Sequence, residues 1–150
     1  MRKAETIADL PESAPVLPLN GALLLPHTSR PLNVFEPRYV AMIDAALGSE
    51  RLVVLVQPKN AKEESPKGNV PLNEMGCLGR IVHFEETSDD RYLIVLEGVC
   101  RVRLGAEQAD DLPYRRFAID ATDFADDLDP TLGEEAVDRG HGDASKRLRE

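Results

Sequence analysis

The sequence predicts a mainly β chain of the α+β class: about six short strands, one amphipathic helix, one domain. Three observations carry this. Short apolar stretches, several alternating with polar residues, are bounded by Pro and Gly along most of the chain, as strands and turns require. One window, Pro37 to Leu47, switches to three- and four-residue apolar spacing. The 150 residues, 42% of them hydrophobic, suffice for one core, burying roughly two-thirds of the surface an unfolded chain exposes.

Residues 1–13 are polar and aperiodic, a flexible N-terminus by this pattern. The domain is predicted to span 14–124. Val16 to Leu19 and Ala22 to Leu25 read as short strands about an Asn20-Gly21 turn, a strong hairpin signal, with irregular edge structure the alternative because of the neighbouring prolines. Arg30 to Val34 is the next strand, delivering Phe35 to the core. Pro37 fits the first helical position, where its missing N–H costs nothing, and Glu36 stands where a carboxylate meets the positive end of the helix and can accept first-turn amides. Tyr39, Val40, Ile43, Ala46 and Leu47 share a face, and Gly48 is expected to cap the helix in a left-handed conformation.

Leu52 to Val56 is apolar on both faces, the mark of a central strand. Gln57 to Glu74 carries three prolines and six charged residues, hence a long loop. Gly76 to Phe84 and Tyr92 to Glu97 flank the turn EETSDDR. Beyond them, Cys100, Val102 and Leu104 point inward against outward Arg101 and Arg103, with Gly98 marking a bulge. Tyr114 to Thr122 repeats the device, with Phe117, Ile119 and Ala121 inward. Residues 125–150 are acidic and glycine-broken, a linker and the start of a helical region (Thr131 to Asp138, Ala144 to Glu150) that breaks off at Glu150 as a shortened tail would.

Two ordered blocks carry a family resemblance. NVFEPRY, with Phe35, Glu36, Pro37, Arg38 and Tyr39 at its centre, follows a proline-rich apolar stretch; MGCLGRIVHFEETSDDRYLIVLEGVCRVRL, Met75 to Leu104, supplies a Gly-led strand with an Arg-Ile pair, an acidic turn and a Gly-x-x-Arg strand. Together they resemble the N-terminal, substrate-engaging domain of Lon-type ATP-dependent proteases, over roughly Val16 to Phe124. The resemblance implies a PUA-like twisted β-barrel or pseudobarrel followed by a helical segment, and makes the FEPRY residues structural.

The chemistry of Lon proteases has no counterpart in these residues. No Gly-x-x-x-x-Gly-Lys-Ser/Thr loop occurs to cradle nucleotide phosphates, and no serine sits in a Gly-x-Ser-x-Gly elbow. His27, His83 and His141 lack metal-ligand spacing. Glu85 and Glu86 with Asp89 and Asp90 form an exposed turn, whereas acid–base chemistry needs a pocket that shifts pKa values. Cys77 and Cys100 lie in strand patterns, most simply as buried hydrophobes of a reducing compartment; a cross-strand disulfide or redox pair is the alternative. No catalytic residue, cofactor or metal is expected.

The formal charge of −9 opposes a nucleic-acid role, which needs clustered Lys and Arg. The imbalance is uneven: residues 1–104 hold 14 acidic against 12 basic groups, and residues 105–150 hold 13 against 6. No apolar run approaches a membrane span and no signal-peptide core follows the N-terminal MRK, so a cytoplasmic protein is predicted. The expected function is a non-catalytic module that binds unfolded or client polypeptides, or a protease partner, as an adaptor in proteolysis. Leu23, Leu24, Leu25 and Pro26 are the expected contact residues, and Leu24→Asp is expected to abolish binding without unfolding. The alternative is a small-molecule sensor on the same barrel.

Overall fold

The computed structural model of the chain describes residues 6–21, 23–59, 70–88, 91–109 and 111–129. Six strands and one α-helix follow a short 3-10 turn, Ile7–Asp9: β1 Ser13–Pro18, β2 Ser29–Val34, α1 Pro37–Leu47, β3 Leu52–Val56, β4 Met75–Ser88, β5 Arg91–Glu107 and β6 Arg116–Asp120. A 3-10 segment, Thr122–Leu128, closes the described chain. The strand order is β2-β5-β4-β3-β1-β6, and β6 also pairs with β5. β2 takes the first half of β5 (Val34 opposite Tyr92, Ser29 opposite Glu97), while β6 takes the last (Arg103 opposite Asp120). The outcome is a twisted sheet curled toward a barrel, with β2 as an outer strand.

Alternation along β3 sorts the core into two layers. Val53 and Leu55 face one layer with Leu32, Val34, Ile94, Leu96 and the inner face of α1; Val54 and Val56 face the other with Val16, Leu78, Cys100, Val102 and Phe117. β3 is therefore covered on both faces, as its unbroken apolar run predicts. The inward set Cys100, Val102, Phe117 and Ala121 is buried as expected, and the expected bulge lies beside Gly98, where Leu78 opposes Cys100 but Gly79 opposes Gly98. Helix α1 buries Tyr39, Met42, Ile43 and Ala46.

Several expectations are corrected. Residues 23–25 form no strand. Gly21 does take a left-handed turn conformation (φ 74°), but β1 turns away to pair in parallel with β3 and antiparallel with β6, so the Asn-Gly signal marks a turn without a hairpin. Gly48 has φ −84°; the left-handed residue is Arg51 (φ 62°), whose N–H closes the helix on the Ala46 carbonyl at 2.9 Å. Glu36 makes no side-chain cap. Phe35 is 61% exposed rather than core, since Val34 takes the inward position and the chain must then turn into α1.

The packed unit also continues past 124: Phe124, Asp127 and Leu128 are buried, and Leu128 joins the second core layer. The loop expected over 57–74 is tied at its base, where Asn73 donates to the Gln57 carbonyl and Lys59 to that of Pro71. Its remainder at 60–69, the turn residues Asp89 and Asp90, His141, and the helices expected over 131–138 and 144–150 lie outside the described residues.

Candidate functional site

Residues 23–28 lie across the middle of β5, and glycine is what lets them. The Gly98 N–H donates to the Thr28 carbonyl and the His27 N–H to the Gly98 carbonyl, each at 2.8 Å, while Pro26 makes a parallel bridge to Gly98. A Cβ on Gly98 would overlap the Leu25 carbonyl. One on Gly79 would come within 2.9 Å of Leu24 Cδ2. Backbone thus lies directly on backbone, and Leu24 drops into the first core layer at 4% exposure.

That anchoring splits the four residues expected to act together. Leu23 (59% exposed) and Leu25 (42%) stand outward, Pro26 is half-buried, and Leu24 faces inward. Successive side chains of an extended segment point in opposite directions, so the run Leu23-Leu24-Leu25 yields one anchor between two exposed apolar groups. Leu24→Asp would place a charge in the core, so it would disrupt the fold itself and not binding alone. Arg30 Nη1 donates to the Leu23 carbonyl at 3.4 Å.

His27 holds φ 64°, and its ring Nε2 hydrogen-bonds the Asp127 backbone carbonyl. Asp127 is clamped by Arg101: Oδ2 accepts from Nε at 2.9 Å and from the Arg101 N–H at 3.0 Å, and Oδ1 accepts from Nη2 at 2.9 Å. Burial would raise the Asp127 carboxyl, but the Arg101 hydrogen bonds outweigh it and hold the carboxyl below its ordinary range. Arg101 and Arg103 flank the Phe124 ring at 4.7 and 5.3 Å, and Arg103 also pairs with Asp123 at 3.1 Å. The two arginines read from the sequence as merely outward therefore fasten the last 3-10 segment to β5. This segment in turn holds the 23–28 loop.

The FEPRY residues are arranged for structure. Pro37 occupies the first turn, and the Glu36 backbone carbonyl accepts from Tyr39 and Val40 N–H at 2.9 Å. Arg38 reaches the Glu36 carboxylate at 3.5 Å and covers the Tyr39 ring at 4.7 Å. Tyr39 is in the core, where burial raises its hydroxyl pKa. Phe35 instead lies beneath the Arg91 guanidinium, 5.9 Å away.

Both cysteines are free and buried. Cys77 faces the first core layer and Cys100 the second, so the sheet separates the thiols. Burial pushes each up to about 12. Among the described residues no three His, Cys, Asp or Glu side chains gather to hold a metal ion, and no helix is long and apolar enough to cross a membrane.

A six-stranded curled sheet with one helix laid against it defines a small mainly β domain of the kind found at the N-terminus of Lon proteins. The likeness is structural first: the Lon N-terminal domain protein from Xanthomonas campestris superposes with a TM-score of 0.57 at 21% identity, over 72% of this chain and 58% of that one. The N-terminal domain of Mycobacterium avium complex Lon protease gives 0.56 at 19%, over 72% and 53%. Residues 13–150 match the model for the ATP-dependent protease La (LON) substrate-binding domain, and the chain belongs to that family. Lon protease 2 of Myxococcus xanthus is 31% identical over 115 residues, 77% of this chain but 14% of that protein. Lon protease of Anaeromyxobacter dehalogenans is 30% identical over 77% and 13%. The chain thus spans about an eighth of the length of such relatives, within their substrate-binding domain.

The outward leucines were visible in the sequence as an apolar run between prolines. The partner that holds them was not: Gly98 stands some seventy residues away and reads locally as a bulge.

Proposed function

We propose that this chain is a polypeptide-recognition module without catalysis of its own, which engages unfolded client segments in the cytoplasm and presents them to a protease partner. The observation that carries the proposal is the anchored 23–26 loop. Leu23 and Leu25 are held in water on backbone fixed to Gly98, and exposed apolar groups on a preorganised frame lose little entropy when they bind. Membership of the LON substrate-binding domain family supports the same reading. Contacts of this size are weak singly and suit transient capture of extended chain.

The test is an amide NMR titration with an unfolded model polypeptide. Shifts are expected at residues 23–28 and their β5 neighbours. The double variant Leu23→Asp/Leu25→Asp, altering exposed positions only, should fold normally and weaken binding about tenfold or more. Undiminished binding by that variant would reject the loop as the contact surface.

A further inference from the structure

The β4–β5 hairpin extends beyond the strand that covers its flank. β3 pairs with β4 from Cys77 to Arg80, and the Ile81 N–H, donating to the Arg51 carbonyl at 2.8 Å, makes the last backbone bond on that side. From Val82 to Ser88, β4 pairs with β5 alone among the described residues, regularly over His83 to Glu86 and with register shifts at Val82 and Thr87. All seven of these residues are exposed. Among the described residues nothing pairs with their outer backbone groups, which leaves an edge able to hydrogen-bond an added strand.

Composition selects this edge over the other. The outer strand β2 carries Pro31 at its middle, which lacks an N–H and interrupts any ladder built there. Val82 to Ser88 contains no proline. Its two faces differ: Phe84, packed edge-to-face on Tyr92 at a centroid distance of 4.8 Å, offers an apolar face, while Glu85 lies with His83 at 3.6 Å on the opposite one. Glu86, two residues beyond Phe84, shares the Phe84 face opposite Tyr92. Neither glutamate is paired with Lys or Arg among the described residues.

Charge then selects the occupant. A second copy adding antiparallel in the register centred on Glu85 would set the two Glu85 side chains directly opposite, and like charges there are destabilising. A strand alternating basic and apolar residues places its cations on the Glu85 face and its apolar groups beside Phe84. We infer that Val82–Ser88 is a strand-addition site for extended polypeptide segments that alternate Lys or Arg with apolar residues. The inference rests on the polypeptide-recognition reading above and adds a second contact surface, about five residues or roughly 17 Å along β5 from Gly98.

The experiment titrates the 15N-labelled chain with a blocked octapeptide of alternating Lys and Val, alongside the unfolded model polypeptide. Expected are shifts and slowed amide exchange confined to Val82–Ser88 and adjoining β5. Affinity should fall several-fold between about 50 and 300 mM salt, and about tenfold in Glu85→Lys/Glu86→Lys, whose fold is checked by circular dichroism. A peptide N-methylated at alternate residues along one edge should not bind. Equal binding by alternating Glu and Val, or by the N-methylated peptide, overturns the inference. Shifts at residues 23–28 with the model polypeptide, but none at the β4 edge with either ligand, overturn it while leaving the recognition reading intact; no shifts anywhere with either ligand reject both.

Discussion

Gly98 carries more of the candidate site than any leucine in it, because its missing side chain is the space the Leu25 carbonyl occupies. Gly98→Ala is expected to lift residues 24–28 off β5 and cost at least about 2 kcal/mol, the range for strain at a packed backbone contact; urea unfolding with amide shifts of His27 and Thr28 checks it. Gly79→Ala meets side chains alone, closest the end of Leu24 at 2.9 Å and then Leu96 Cβ at 3.4 Å, and should cost less. Leu24→Asp buries a charge without a partner and should unfold the domain, whereas Leu25→Asp should stay within about 0.5 kcal/mol of the parent. The contrast between neighbouring leucines is measurable by thermal melts. The same alternation between neighbours explains Phe35: with Val34 inward at the end of β2, the following ring is left outside, where Arg91 covers part of it.

Among the elements, the last 3-10 segment is held by charge as well as by packing. The Asp127 carboxylate, with a folded pKa below its unfolded value of about 3.9, adds stability that is fully present above that value and is lost as pH falls through the lower folded one. Acid unfolding monitored at Phe124 or Leu128 should begin there before it reaches α1. Asp127→Asn is expected to flatten that acid dependence and to cost about 1.5–3 kcal/mol at neutral pH, the usual value of hydrogen bonds to a charged group. Because His27 bonds the Asp127 carbonyl, the same variant should also broaden amide signals of the 23–28 loop. Helix α1 has the opposite character. Its hold is mainly apolar, through Met42 and Ile43, with the Tyr92 hydroxyl donating to the Asp44 carboxylate at 2.7 Å at its edge, so Ile43→Ala should cost about 2–5 kcal/mol.

For the whole molecule, the two-layer core predicts thiol behaviour. Burial raises both thiol pKa values to about 12, so both stay protonated and unreactive at neutral pH, and the sheet lies between the two sulfurs. Cys77 and Cys100 should resist thiol reagents in the native state, label together on global unfolding, and form no mutual disulfide under mild oxidation. Mass spectrometry after timed alkylation checks this. Labelling of one cysteine alone in native buffer would mean that a layer opens independently.

The amino-acid order by itself determined the fold class, the helix from Pro37 to Leu47, the central place of β3, the inward register of Cys100, Val102 and Phe117, and the likeness to Lon N-terminal domains. Each of these follows from local periodicity, proline placement or short motifs, which act within a turn or a strand. Tertiary structure alone decided that β1 pairs with β3 and β6 rather than with residues 23–25, that Leu24 is buried between exposed Leu23 and Leu25, that Arg101 and Asp127 clamp the chain's last described turn, and that β4 outruns its neighbour to leave an edge with no partner among the described residues. These depend on pairings between residues far apart in the chain. A strand's own pattern states which face is apolar, but not which strand lies beside it, because backbone hydrogen bonds are the same for every partner.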